Sequence, residues 1–435
     1  MAIETMDLLT QGGEDALLES LKFKLPPSAS YIQERRLVSW HPTGASAFSP
    51  TGVRQARFNI TSSGWLDPAS LRINLRLRNL SGAGNVLTLA GNASALISRM
   101  RIEISGSVVE DISEYSRVAM LFQRMLQTTE YCKNSGIEDG AFYNEGRQND
   151  ALPNEIPVPI YVGEAISLSL TPLLGILQCK KLIPLKYAGS MTLIIDWASA
   201  DDALATVADS PSRDYVIEQV TLRGATVFLD SALNSSYDNL MLQSKSLTFA
   251  FNTISTQVQA VPTGTQLSVS VVRALSRINA LFVSFRGPDM VGGVANNAAF
   301  KHEVLSFLNP FVAVGNAFNM NWMVQVGSKK YPEQEVTSIA ESFSLLRQAT
   351  GVYDSDIRTL NLTRQSYSNL NFVIGVPMQT QAGVFGSGLN TRSGDLLTVT
   401  LKNLNENGRG VGKIYLHILN EVVLEMREQG VSVLD

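Results

Sequence analysis

The chain has 435 residues, 45% of them hydrophobic and 17% charged, with a formal net charge of −4. That length exceeds what one hydrophobic core usually serves and divides into two domains of roughly 200 residues. The first 20 residues hold Glu4, Asp7, Glu14, Asp15 and Glu19 and no Lys or Arg, which argues against a basic nucleic-acid-binding arm. No positive segment followed by an apolar run marks a secretory signal, and no uninterrupted apolar stretch reaches about 18 residues, so a soluble protein not secreted by the usual route is expected. Cys132 and Cys179 lie far apart and form no metal-type pair, which suits a reducing compartment.

Residues 1–29 read as an arm: Leu17, Leu18 and Leu21 give a short helix after Gly12-Gly13 one apolar side, and Pro26-Pro27 stop it. From Tyr31 the chain turns to short strand-like runs. Leu71 to Leu77 alternates apolar and polar residues over its whole length, so one face of that strand is buried. Arg72, Arg76 and Arg78 then share the opposite face, which is either solvated or a partner surface.

One pattern occurs twice. Arg101-Ile102-Glu103-Ile104-Ser105 meets Gly106-Ser107, crosses a short polar turn and enters a helix near Ser113; Asn321 to Val326 meets Gly327-Ser328, crosses Lys329 to Glu333 and enters a helix at Ser338. The offsets, 327 − 106 = 221 and 338 − 113 = 225, are nearly constant, so the chain reads as two similar domains in tandem. Tyr115, Val118, Ala119, Phe122, Met125 and Leu126 form one stripe of the first helix, which is expected to pack on the sheet beside it. Ser338 and Glu341 have capping-box spacing in the second, and Gly351 stands where a left-handed cap is wanted.

Residues 128–157 and 286–300 read as long polar loops, and 128–157 as an exposed excursion with some role. Tyr187 to Trp197 closes the first half as a strand apolar on both sides. Ala198 to Asp214 is the best linker, which puts the first domain at 30–207 and the second at 208–435, opening with Val220 to Leu229. The last strand, Lys413 to Met426, is matched with Tyr187 to Trp197, since 418 − 194 = 224. Many short strands and few helices predict an all-β chain of two tandem antiparallel β-sandwiches with short connecting helices. Jelly-roll topology is the natural closed solution, though periodicity alone also admits another Greek-key sandwich.

No residue is assigned a catalytic, cofactor-binding or metal-binding role, and an enzyme is not expected. His41, His302 and His417 show no metal-ligand spacing, and His417 reads as a cross-strand partner between Leu416 and Ile418. Cys179 beside Lys180 and Lys181 is either a thiol with lowered pKa or, preferably, a packed one. Asp201-Asp202 could pair for acid/base work, but adjacent acids among small residues are usually solvated. No GxxxxGK[ST] pattern supports nucleotide binding.

The stretch Ile97 to Ile112 followed by Tyr115 resembles the strand, Gly turn and aromatic helix of double jelly-roll major capsid proteins of eukaryotic DNA viruses. Pro172 to Tyr187 is similar to the segment before the last strand of the family's first jelly roll; Val227-Phe228-Leu229-Asp230 with Tyr237 is similar to the opening of its second, and Ile414 to Glu425 to its closing strand. Val326-Gly327-Ser328-Lys329-Lys330-Tyr331-Pro332-Glu333 with Ala340-Glu341-Ser342-Phe343 resembles the capsid proteins of polinton-like viruses in particular. The resemblance spans roughly residues 30 to 430. It implies a structural protein of the virion, made inside the host cell. Its partners would be itself, as homotrimers forming pseudo-hexagonal capsomers that tile an icosahedral shell, then penton and minor capsid proteins, with little direct nucleic-acid contact. The alternative is a carbohydrate-binding or carbohydrate-active tandem β-sandwich. That would need an aromatic platform or a carboxylate pair, and Trp40, Trp65, Trp197 and Trp322 are scattered.

Overall fold

The computed structural model describes residues 31–82, 85–126, 138–140, 160–204, 212–262, 264–287, 307–311, 319–352, 360–369, 371–392, 394–404, 411–427 and 430–434. The arm 1–29, the division near 208, Cys132, His302 and most of the loops 128–157 and 286–300 lie outside them.

The first part of the chain forms β1 (Ile32–Trp40), β2 (Ala47–Phe48), β3 (Gln55–Ile60), β4 (Trp65–Asn79), β5 (Ile97–Ile104), β6 (Ser107–Ser113), β7 (Ala165–Leu170), β8 (Ile183–Pro184), β9 (Met191–Trp197) and β10 (Tyr215–Leu229). Among the described residues the α-helices here are α1 (Tyr115–Leu126), α2 (Gly175–Gln178) and α3 (Ala200–Ala203). Its two sheets have the order β1-β10-β4-β7, with β2 and β8 at the side, and β3-β9-β5-β6.

After α4 (Ser231–Leu242) come β11 (Leu247–Ala260), β12 (Gln266–Ser270), β13 (Ile278–Arg286), β14 (Asn321–Val326) and β15 (Lys329–Val336). Two helices, α5 (Ile339–Ala349) and α6 (Arg364–Asn369), precede β16 (Val373–Pro377), β17 (Leu397–Lys402), β18 (Lys413–Arg427) and β19 (Gly430–Leu434). The sheets here are β11-β18-β13-β16, with β19 on β18, and β12-β17-β14-β15. Leaving out the side strands and numbering the main strands of each half from one, both halves give sheets ordered 1-8-3-6 and 2-7-4-5. That is two successive jelly rolls.

Local chemistry explains the elements. In β4, Leu71, Ile73, Leu75 and Leu77 are buried while Arg72, Asn74, Arg76 and Arg78 point outward, the alternation of a half-buried strand. The repeated pattern is a β-hairpin leading to a helix, and its polar crossings are the strands β6 and β15 rather than turns. Ser105 and Gly106 both have positive φ in the first two-residue turn, whereas Gly327 alone does in the second. Register then aligns Ile104 with Val326, an offset of 222, so the two Gly-Ser pairs sit one residue apart in the turn. At α5, Ser338 Oγ accepts from the Glu341 N–H at 3.2 Å. Its C-terminus closes with Val352 N–H to Arg347 O at 3.0 Å and Gly351 N–H to Gln348 O at 3.1 Å, the paired bonds of a Schellman cap.

Two expectations are corrected. Residues 220–229 do not open the second half: β10 pairs with β1, β2 and β4, all upstream, because its alternating apolar face completes the first core. The counterpart of β18 is therefore β10, at 413 − 215 = 198, and not β9, which is the seventh strand and corresponds to β17. The constant offset thus holds at the hairpins and fails at the domain ends. The apolar reading of Tyr187 to Trp197 stands, since Ile194 and Ile195 are both buried in the central strand β9.

Candidate functional site at the junction of the two sandwiches

The most constrained chemistry among the described residues lies where the two jelly rolls meet. Glu110 on β6 is buried, and its carboxylate accepts from three donors: Gly175 N–H at 2.8 Å, Ile176 N–H at 3.1 Å and the Thr253 hydroxyl of β11 at 2.8 Å. Burial pushes this carboxyl up to about 7, against the pull of those three hydrogen bonds. One side chain thereby ties β6 and α2 of the first sandwich to the first strand of the second.

Gly175 is required there by space. A Cβ on it would fall 1.7 Å from the carbonyl oxygen of Asn252 on β11, so only glycine lets the two backbones approach. Beside that contact Phe249, Phe251 and Ile254 of β11, with Val422, Leu424 and Met426 of β18, join the apolar core of the first sandwich. The junction is a continuation of a core, not a linker.

Helix α1 makes the second contact. Tyr115, Val118 and Ala119 enter the first core, whereas Met120, Leu121 and Met125 enter the second, and Phe122 packs edge-on against Phe282 at 5.4 Å. The expected packing on the adjacent sheet holds for Tyr115, Val118 and Ala119, but Met125 turns to the second core and Leu126 is exposed. The helix is apolar on two sides because it is wedged between sandwiches. Its Arg117 is buried, donates to Phe285 O at 2.7 Å and Ser284 Oγ at 3.2 Å, and lies over the rings of Tyr415 at 4.2 Å and Phe307 at 4.7 Å.

His417 completes this layer. It is a cross-strand partner, as its sequence position suggests, facing Thr256 and Phe282 in register. Its Nδ1 lies 3.0 Å from Thr256 Oγ1 and its Nε2 3.2 Å from Ser284 Oγ. Burial, reinforced by the nearby Arg117 charge, pulls its pKa down to about 3, so the ring is neutral.

The remaining residues singled out by sequence do not converge. His41 is exposed. Cys179 is half-buried, and burial pushes its thiol up, opposite to the activation its flanking lysines could have supplied. Asp201 pairs with Arg213 at 2.9 Å, while Asp202 accepts from the Ser199 hydroxyl at 2.7 Å and faces Arg286 at 3.4 Å. Ser199 is the N-cap of α3, and the two carboxylates turn to different partners instead of sharing a site. Among the described residues no three His, Cys, Asp or Glu side chains gather as a metal site, and no helix is long and apolar enough to cross a membrane. Sequence reasoning missed Glu110, Arg117 and Gly175 as junction residues. A charged residue inside an apolar helix stripe was the available signal for Arg117.

No protein-family model matches the sequence, and no curated protein matches it. Solved structures do. PBCV-1 VP54, as fitted into a cryo-EM reconstruction of the virophage Sputnik, is similar with TM-score 0.63 at 12% identity, over 94% of this chain and 98% of that one. A chain of the Sputnik virophage structure gives TM-score 0.61 at 13% identity, over 97% and 92%. The chain has the double jelly-roll fold. The Faustovirus major capsid protein shares it with TM-score 0.58 at 8% identity over 96% of both chains. Such double jelly rolls match this one almost end to end, so neither half of the pair is an addition peculiar to this chain.

Proposed function

We propose that this protein is the major capsid protein of an icosahedral DNA virus, a structural component of the virion and not an enzyme. The observation that carries this is the tandem arrangement: two jelly rolls of identical strand order, joined by a shared core, over the same length as viral major capsid proteins. In this reading three copies form a pseudo-hexagonal capsomer from six jelly rolls, and capsomers tile the shell. Penton and minor capsid proteins would be further partners, and the likeness to polinton-like viruses belongs to the same reading. The domains are the arm 1–29, a first jelly roll ending at Leu229 and a second beginning at Leu247, with α4 between them.

The carbohydrate reading loses its support, since all four tryptophans are buried and none offers a platform. Negative-stain imaging of the purified protein tests the proposal. Hexagonal particles or closed shells are expected, and featureless monomers with glycan-binding activity would replace it.

A further inference from the structure

The outer face of the sheet β1-β10-β4-β7 holds the arginines whose role the sequence leaves open. Arg78 Nη2 meets Glu218 Oε1 at 2.7 Å, and Arg76 reaches the same oxygen only at 3.6 Å. Arg72 donates to the carbonyls of Leu71 and Ala69, at 2.9 Å and 3.3 Å. The side chain of Arg223 on β10 makes no hydrogen bond or ion pair with the described residues, yet it stands directly opposite Arg72 in register. Like charges placed opposite each other across two strands are destabilising.

A second irregularity adjoins this pair. Between Glu218 and Thr221 β10 carries a bulge, and Gln219 adopts φ of +54°, a conformation that costs a non-glycine residue energy and tends to be kept where it serves a site. Beside the bulge lies a depression of about 360 Å³. Arg76 and Arg223 supply its positive charge, and Asn74, Ser167, Ser169 and Thr221 its neutral donors. Among the described residues Glu138 is the one acid lining it.

We propose that this depression binds an oxyanion: a phosphate or carboxylate group held between Arg76 and Arg223 and hydrogen-bonded by the three hydroxyls. The anion would relieve the Arg72–Arg223 opposition, and the bulge would turn the β10 side chains toward it.

The test is calorimetric titration of the full-length protein with sodium phosphate and, separately, sodium succinate, at fixed pH and ionic strength. Saturable binding of at least one is expected with a dissociation constant of about 1 mM or tighter. Binding of phosphate alone assigns a phosphate group, and binding of succinate alone a carboxylate. Arg76→Ala and Arg223→Ala should each weaken it about tenfold or more, Glu138→Gln should strengthen it, and Arg392→Ala on a distant exposed loop should leave it unchanged. No saturable heat with either anion, or wild-type affinity in both alanine variants, overturns the proposal. Light scattering of the same samples records the assembly state, so loss of anion binding is read separately from loss of capsomer formation.

Discussion

The carboxylate of Glu110 and the hydroxyl of Thr253, 2.8 Å apart and 143 positions apart in sequence, join two jelly rolls that each have a complete strand set. Because Glu110 also receives two N–H groups from α2, it is the point at which strand, loop and second domain share one acceptor. Glu110→Ala would leave those three donors buried without a partner. We expect it to cost about 3 kcal/mol or more in denaturant unfolding, whereas Thr253→Val, which removes one donor, should cost about 1–2 kcal/mol.

The pH profile should carry two opposing signatures. The carboxyl of Glu110 is raised, so its contribution is present below about 4.5 and lost as pH rises through about 7. His417 is lowered, so its contribution is present above about 6.5 and lost as pH falls toward about 3. Between pH 4.5 and 6.5 the two slopes cancel. Thermal unfolding across pH 4–8 should therefore show a plateau in the wild type, a rise with pH in Glu110→Gln and a fall with pH in His417→Gln. Parallel profiles in all three proteins would contradict these assignments.

Gly175→Ala tests the close approach of α2 to β11. With Asn252 O only 1.7 Å from the added carbon, backbone must move, and a loss of about 3 kcal/mol or failure to fold is expected. Gly82→Ala, where nothing lies within 4 Å, should change stability by less than about 0.5 kcal/mol. Equal melting temperatures for the two variants would refute the packing described.

Arg117→Lys keeps the charge of the wedged helix but loses the planar fork and its stacking between Tyr415 and Phe307. A loss of about 2–3 kcal/mol is expected, with both sandwiches affected because α1 enters both cores. Unchanged unfolding would mean that charge alone matters there.

Much of this architecture is legible in the residues. The alternation of β4, the capping serine of α5 and its C-terminal glycine each act locally, and each appears where sequence places it. The strands β6 and β15 are harder to read. Lys329 to Val336 is an edge strand whose charged residues protect the sheet from further pairing, so it lacks the alternation that reveals an inner strand. By sequence β10 reads with the second half because the linker before it looks like a boundary, while its partners β1 and β4 are fixed only by long-range register. The junction residues were invisible for the same reason: Glu110 and Gly175 are ordinary until β11 is brought against them.

The mass of the purified chain in solution, by light scattering over a range of concentrations, tests the central claim most directly. The account predicts a trimer of about 142 kDa, three times the 47.3 kDa chain, or larger shells built from it. A monomer that persists at the highest concentration reached would contradict it.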